Sequence, residues 1–193
     1  MESQILHAPT NQVKKCQVVV LTKDIASNKV DNVWWSDPKT YKEMAEKDHH
    51  WMWQEFAAET DQSSEYESIA LLSENDSVEA AMVYKLTDKF INDELSGYVA
   101  FLATAPHNRK RVNDNILYKG CGSVLLYWAV RQSYNLGYGG KIRLESLKTE
   151  DTLEFYKKKG FRETGEILNK NLIGFELDQK PAEEWMKKQG DIK

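Results

Sequence analysis

The run Tyr118–Leu126, YKGCGSVLL, brackets a cysteine with two glycines and then becomes amphipathic. Glycine inside a helix costs about 1 kcal/mol relative to alanine, so a helix opening on Gly120 and Gly122 uses the missing side chains for something. The chemistry they permit is anion binding. The first amides of a helix lack internal acceptors and the macrodipole is positive there, so a phosphate can lie against the backbone of Gly120, Cys121, Gly122 and Ser123 where no Cβ intervenes. A tight turn is the plainer reading of the same glycines. Arg109 and Lys119, with Lys110 and Arg111, place a local excess of cations beside this run in a chain of net charge -4. That excess favours the phosphate, against the alternative of an ordinary solvated loop.

Other chemistries fit less well. A thiol at a helix N-terminus can be a nucleophile, but Cys121 has no histidine near it in sequence. Neither Cys16 nor Cys121 sits in a CxxC or Cys/His metal spacing, so free thiols and no metal site are expected. A P-loop needs a lysine after its last glycine, and none follows Gly122 in the required place. The dinucleotide fingerprint would place Glu145 on a ribose hydroxyl, but Leu125 stands where its third glycine belongs. It also needs a strand running straight into the first glycine, whereas a long loop separates Pro106 from Gly120. A third scheme holds a pyrophosphate on the amides of a glycine loop after a central strand, with an extended ligand along that strand's exposed edge. Coenzyme A has that shape.

The elements needed to position these residues are readable. Gln17 to Thr22 is rich in β-branched residues and predicts a strand. Ser36 or Asp37 with Pro38 predicts a helix start and a mostly helical stretch over about 39–59. Ser68 to Ser73 and Val78 to Leu86, joined by Glu74-Asn75-Asp76-Ser77, predict a hairpin. Gly97 to Ala105, apolar at successive positions, predicts a central strand covered on both faces and stopped by Pro106. The apolar positions after Gly122 follow a helical period as far as Gly137. Then come a strand at Lys141 to Leu147, a helix at Glu150 to Lys159, a hairpin of Phe161 to Leu168 with Asn171 to Asp178, and a last helix from Pro181 to Gln189. The order is α/β, with antiparallel pairs flanking a βαβ unit.

In this order YVAFLATAPHNR, YKGCGSVLL, GKIRLESL and LEFYKKKGF resemble the core motifs of the GNAT superfamily of acetyl-CoA-dependent N-acyltransferases. The resemblance covers about Glu79 to Phe161 and extends loosely to Asp178. It implies an α/β fold of the α+β type: a mixed, mostly antiparallel central sheet flanked by helices, with a splayed central strand pair. One domain is expected, with an acceptor-side segment at about 23–65, an acetyl-CoA-binding core at about 79–161 and a C-terminal hairpin and helix at about 161–193. The resemblance further implies direct transfer from acetyl-CoA, as co-substrate, to a primary amine. Tyr156 matches the tyrosine that protonates the departing sulfur in many members; packing on the sheet is its plainer reading. The backbone of Phe101, Leu102, Ala103 and Thr104 would pair with the pantetheine arm. Two positions depart from the pattern: Leu117 stands where the loop usually has Arg or Gln, and Thr149 where an Asn is frequent.

The general base is not legible, since Glu145, His107, His49, His50 and Glu55 are all open to the role or to ordinary surface positions. Trp34, Trp35, Trp51 and Trp53, among Glu43, Glu46, Asp48 and Glu55, have the composition of a cation-holding acceptor pocket or of a core. The expected acceptor is a small molecule. A non-catalytic acyl-CoA-binding module, or an enzyme acting on protein or aminoacyl-tRNA, are the rivals. The N-terminus lacks a signal-peptide pattern and no apolar run approaches the roughly 20 residues that span a bilayer, so a cytoplasmic protein without membrane contact is expected. The acidic balance speaks against nucleic acid. A homodimer is compatible with the sequence.

Overall fold

A computed structural model describes residues 1–36, 47–169 and 171–192. The strands are β1 (Glu2–His7), β2 (Gln12–Val20), β3 (Tyr66–Ser73), β4 (Val78–Lys89), β5 (Leu95–Thr104), β6 (Tyr118–Lys119), β7 (Ile142–Leu147), β8 (Arg162–Asn169) and β9 (Leu172–Leu177). The helices are α1 (Lys23–Ala26), continued by a π-helical turn at Ser27–Asp31, then α2 (Trp53–Asp61), α3 (Cys121–Asn135), α4 (Glu150–Lys158) and α5 (Gln179–Gln189); a short 3-10 turn covers Pro106–Asn108. Hydrogen bonding orders the strands β6-β1-β2-β3-β4-β5-β7-β9-β8. The sheet is mixed and mostly antiparallel, with one parallel pair, β5 with β7. That pairing covers only Gly97 to Val99 against Ile142 to Leu144, although β5 continues to Thr104 and β7 to Leu147. It is the splayed strand pair that the resemblance implies.

The chain forms two compact units: residues 1–83 with 101–126, and residues 84–100 with 127–193. In the first, β1 and β2 form a hairpin whose turn has Asn11 at φ 53°. The sequence pattern does not predict β1. β2 starts earlier than predicted because Gln12 to Lys15, exposed apart from the half-buried Lys14, take their order from pairing with Gln4 to His7 of β1 and not from burial. The hairpin predicted around residues 74–77 is present, with Asp76 at φ 60°, and its second strand runs on to Lys89. Of the predicted helical stretch over about 39–59, residues 37–46 lie outside the described residues, and α2 is helical from Trp53. Residues 47–50 form a turn, and the proposed start at Asp37-Pro38 lies outside the described residues. The carboxylate of Asp31 caps α2, accepting from the amides of Trp53 at 3.0 Å and Gln54 at 2.9 Å. Burial raises the Asp31 carboxyl, and those two amides oppose the rise.

In the second unit β7 alternates buried and half-buried residues, and Phe175 and Leu177 of β9 are fully buried. α5 begins at Gln179, two residues before the predicted Pro181, with Asp178 at its N-cap. The buried Glu176 carboxylate accepts from the amide of Ile91 at 2.9 Å and from the Arg162 guanidinium, which also bonds Asp178. Among the described residues no helix is long and apolar enough to cross a membrane.

Gly97 admits no side chain: a Cβ there would lie 1.8 Å from Tyr84 Oη and 2.5 Å from Tyr84 Cζ. Gly97→Ala must therefore displace a fully buried ring, at an expected loss of about 1–3 kcal/mol in urea unfolding; an unchanged midpoint would contradict this packing.

Candidate functional site

Gly120 has φ +90°, a conformation that L side chains resist, and a Cβ built on it would meet nothing within 4 Å. The glycine is thus required by the backbone, and the space beside it is open. Val124 N–H closes the first helical hydrogen bond onto the Gly120 carbonyl at 3.0 Å. The amides of Cys121, Gly122 and Ser123 precede that bond and have no acceptor within the helix. Lys119 and Gly120 are exposed, Ser123 is half-buried, and Cys121 and Gly122 are buried. Lys119 pairs with Leu6 and Tyr118 with His7, so β6 fixes the approach to the helix against β1.

Behind this corner stands Glu79 of β4, which is 1% exposed. One oxygen accepts from Ser73 Oγ at 3.0 Å; the other bonds His107 Nε2 at 2.7 Å and Asn108 Nδ2 at 2.7 Å. Burial would push this carboxyl up, but the bonds from His107, Asn108 and Ser73, with the charge of His107, outweigh burial and hold it below its ordinary value. Asn108 also accepts from the Tyr118 amide at 2.8 Å. Glu79 has a sequence signal: a carboxylate inside the apolar run VEAAMVY implies a buried partner.

Arg109 does not extend freely toward a phosphate. Its guanidinium donates to both oxygens of Asp48, at 2.7 and 2.5 Å, and to the Thr104 carbonyl from Nε at 2.8 Å and Nη2 at 2.5 Å. It also lies over the Trp35 ring, 5.2 Å from the centroid. Arg109 therefore fastens the end of β5 to the segment carrying Asp48. Among the cations named from sequence, Lys119 is exposed next to Gly120.

The cysteines are buried and chemically quiet. Burial, first, and the nearby Glu79 push the Cys121 thiol far up, and burial pushes Cys16 up to about 11. Burial and the raised thiol both speak against Cys121 as a nucleophile.

Phe101, in β5, stacks on Phe56 at 4.4 Å and 20° and meets the edge of Trp51 at 5.0 Å. Phe101, Phe56 and Trp51 are half-buried, whereas Trp34 and Trp53 behind them are core. The four tryptophans thus divide: two are packing, Trp35 lies under Arg109, and Trp51 joins an aromatic wall beside β5. Of the carboxylates expected among them, Asp48 is neutralised by Arg109, Glu55 is exposed, and Glu43 and Glu46 lie outside the described residues. His49 and His50 are exposed and meet edge to face.

Tyr156, in α4 of the second unit, is 8% exposed among Phe155, Phe161 and Phe175, whose ring centroids lie 5.1, 5.5 and 5.4 Å away. Burial pushes its hydroxyl well above the ordinary tyrosine value. Glu145 is half-buried on β7, and Thr149 shares a hydrogen bond with Thr152 at 2.5 Å. Among the described residues there is no group of three side chains able to hold a metal ion.

No protein-family model and no curated protein matches the chain. Solved structures do. A GNAT-family acetyltransferase from Listeria monocytogenes aligns over 90% of this chain and 98% of its own, with a TM-score of 0.57 at 13% identity. The fold is that of the GNAT acetyltransferases. A chimera of the spermidine N-acetyltransferase SpeG from Vibrio cholerae and hSSAT aligns over 86% and 97% of the two chains, with a TM-score of 0.57 at 12% identity. A mutant AtaT toxin, bound to the C-terminus of the antitoxin AtaR and to acetyl-CoA, aligns over 89% and 98%, with a TM-score of 0.56 at 15% identity. At these identities the GNAT likeness is one of fold.

Two outcomes test this geometry. Arg109→Ala strands Asp48 and frees the Thr104 carbonyl, so urea unfolding should show a loss of about 3 kcal/mol; wild-type stability would mean the clamp is not formed. For Glu79, a folded value below the ordinary 4.5 means stability that is present above that pH and lost as pH falls through the folded value. Melting temperatures across the acid range should therefore fall less steeply for Glu79→Gln than for wild type, and parallel acid limbs would refute the assignment.

Proposed function

We propose that this chain is an N-acetyltransferase that moves the acetyl group of acetyl-CoA to a primary amine of a small molecule, with both substrates bound together. The observation that carries the reading is the corner at Gly120: a glycine required by its backbone, facing open space, at the head of a GNAT-fold helix whose first amides lack acceptors. Amides so placed hold a diphosphate through fixed dipoles, and Lys119 adds charge beside them. The acetyl-CoA in the AtaT structure and the spermidine in the name of the SpeG chimera support the reading by analogy of fold.

Acetyl-CoA supplies an activated acyl group as a thioester. Main-chain donors of Phe101, Leu102, Ala103 and Thr104, beyond the last β5–β7 pair, would align the pantetheine arm and polarise the thioester carbonyl. Arg109 occupies the Thr104 carbonyl, so its role is to fix the end of β5. The aromatic wall of Phe101, Phe56 and Trp51 is placed to receive the body of the acceptor. The amine attacks the carbonyl carbon as its neutral form, the C–S bond breaks, and the nitrogen gives up one proton while the sulfur gains one. Tyr156 is the residue proposed for the second transfer on the resemblance of LEFYKKKGF; its phenol carries the proton at neutral pH, and burial makes it a weaker acid than an exposed tyrosine.

The test is coenzyme A release, read as free thiol, with a panel of amines. Release that depends on an amine supports the enzyme; stabilisation by acetyl-CoA without release points to a binding module. In the active pairing, Tyr156→Phe should lower kcat by roughly 10- to 10⁴-fold with little change in the KM for acetyl-CoA. Wild-type turnover would leave Tyr156 as a packing residue.

A further inference from the structure

We propose that Asn108 is a positioning residue for the anion-binding corner, passing the anchorage of the buried Glu79 carboxylate to the amides at the head of α3. This rests on the reading above that those amides take the diphosphate of coenzyme A. Asn108 uses both ends of its side chain. Nδ2 donates to Glu79 Oε2 at 2.7 Å, and Oδ1 accepts at 2.8 Å from the amide of Tyr118 at the far end of the intervening loop. The same Nδ2 lies 3.9 Å from Cys121 Sγ, in the first turn of α3. One side chain therefore ties the start of the loop, its end and a buried charge together.

An amide suits this place because it donates and accepts at once, whereas aspartate would set a second carboxylate against Glu79 and alanine would leave the Tyr118 amide without its acceptor. His107, the preceding residue, adds a second tie to the same carboxylate, and its carbonyl accepts from Leu117 N at 3.3 Å. Lys110 and Arg111 in the loop are exposed, as is Gly120 itself. The left-handed backbone at Gly120, two residues beyond the anchored Tyr118 amide, is thus held from behind while its face stays open.

Calorimetric titration with coenzyme A of wild type, Asn108→Ala and Ser73→Ala tests this, with thermal unfolding in parallel. Each variant removes one hydrogen bond from Glu79, so each should melt earlier. Ser73 meets Tyr118 through its side chain alone, whereas Asn108→Ala removes the acceptor of the Tyr118 main-chain amide that leads into the corner, so the Kd of the Asn108 variant should rise about 10- to 100-fold, the scale expected for misplacement of a binding group. Asn108→Ser serves if the alanine variant does not fold, with a rise in the same direction. A wild-type Kd in the Asn108 variant, or an equal rise in Ser73→Ala, overturns the proposal while leaving the acetyl-CoA reading intact. A wild-type chain that binds no coenzyme A overturns that reading itself.

Discussion

A carboxylate removed from water must be supplied with donors or else take up a proton, and Glu79 is supplied with three. They come from separate places in the chain: Ser73 at the end of β3, and His107 and Asn108 from the turn after β5. The backbone of Glu79 adds a fourth tie, its carbonyl accepting from Ala105 N at 2.9 Å. One buried charge thus fixes where β5 ends, how the chain leaves it, and where the chain returns to open α3. Removing a single donor would leave an under-solvated anion in the core, so the arrangement is held as a set.

Much of the framework is legible from pattern. The hairpin at residues 74–77, the central strand ended by Pro106, the glycine-led helix and the β7–α4–hairpin sequence all follow local rules of turn chemistry and period. β1 is not, because MESQILH has little alternation and gains its order from pairing with β2 and with the two residues of β6. The helix start at Trp53 leaves no local mark for a related reason: its cap is Asp31, twenty-two residues upstream, on another segment.

The site divides along the same line. Gly120 can be found from sequence because a glycine requirement shows in residue type. Arg109 is visible as a cation, but its partner is not, since nothing local tells a phosphate ligand from a guanidinium shared by Asp48, the Thr104 carbonyl and the Trp35 ring. The tryptophans illustrate the point in aromatic form: composition alone suggests a pocket, while burial sends Trp34 and Trp53 to the core and leaves Trp51 beside Phe101.

The departure at Leu117 follows from this division between side-chain and main-chain work. Its side chain is exposed, yet its carbonyl accepts from Ala8 N at 2.8 Å and its amide donates to His107 O. At this position the fold draws on the backbone, so an apolar residue is tolerated where the resemblance leads one to expect Arg or Gln. A charged side chain there would add a mobile cation to the loop. It would not hold the amides of Cys121, Gly122 and Ser123 in place, because that depends on what lies behind Tyr118. An anion site made of amides is only as good as the rigidity of its backbone, and in the site proposed here that rigidity would come from a buried carboxylate rather than from the residues facing the ligand.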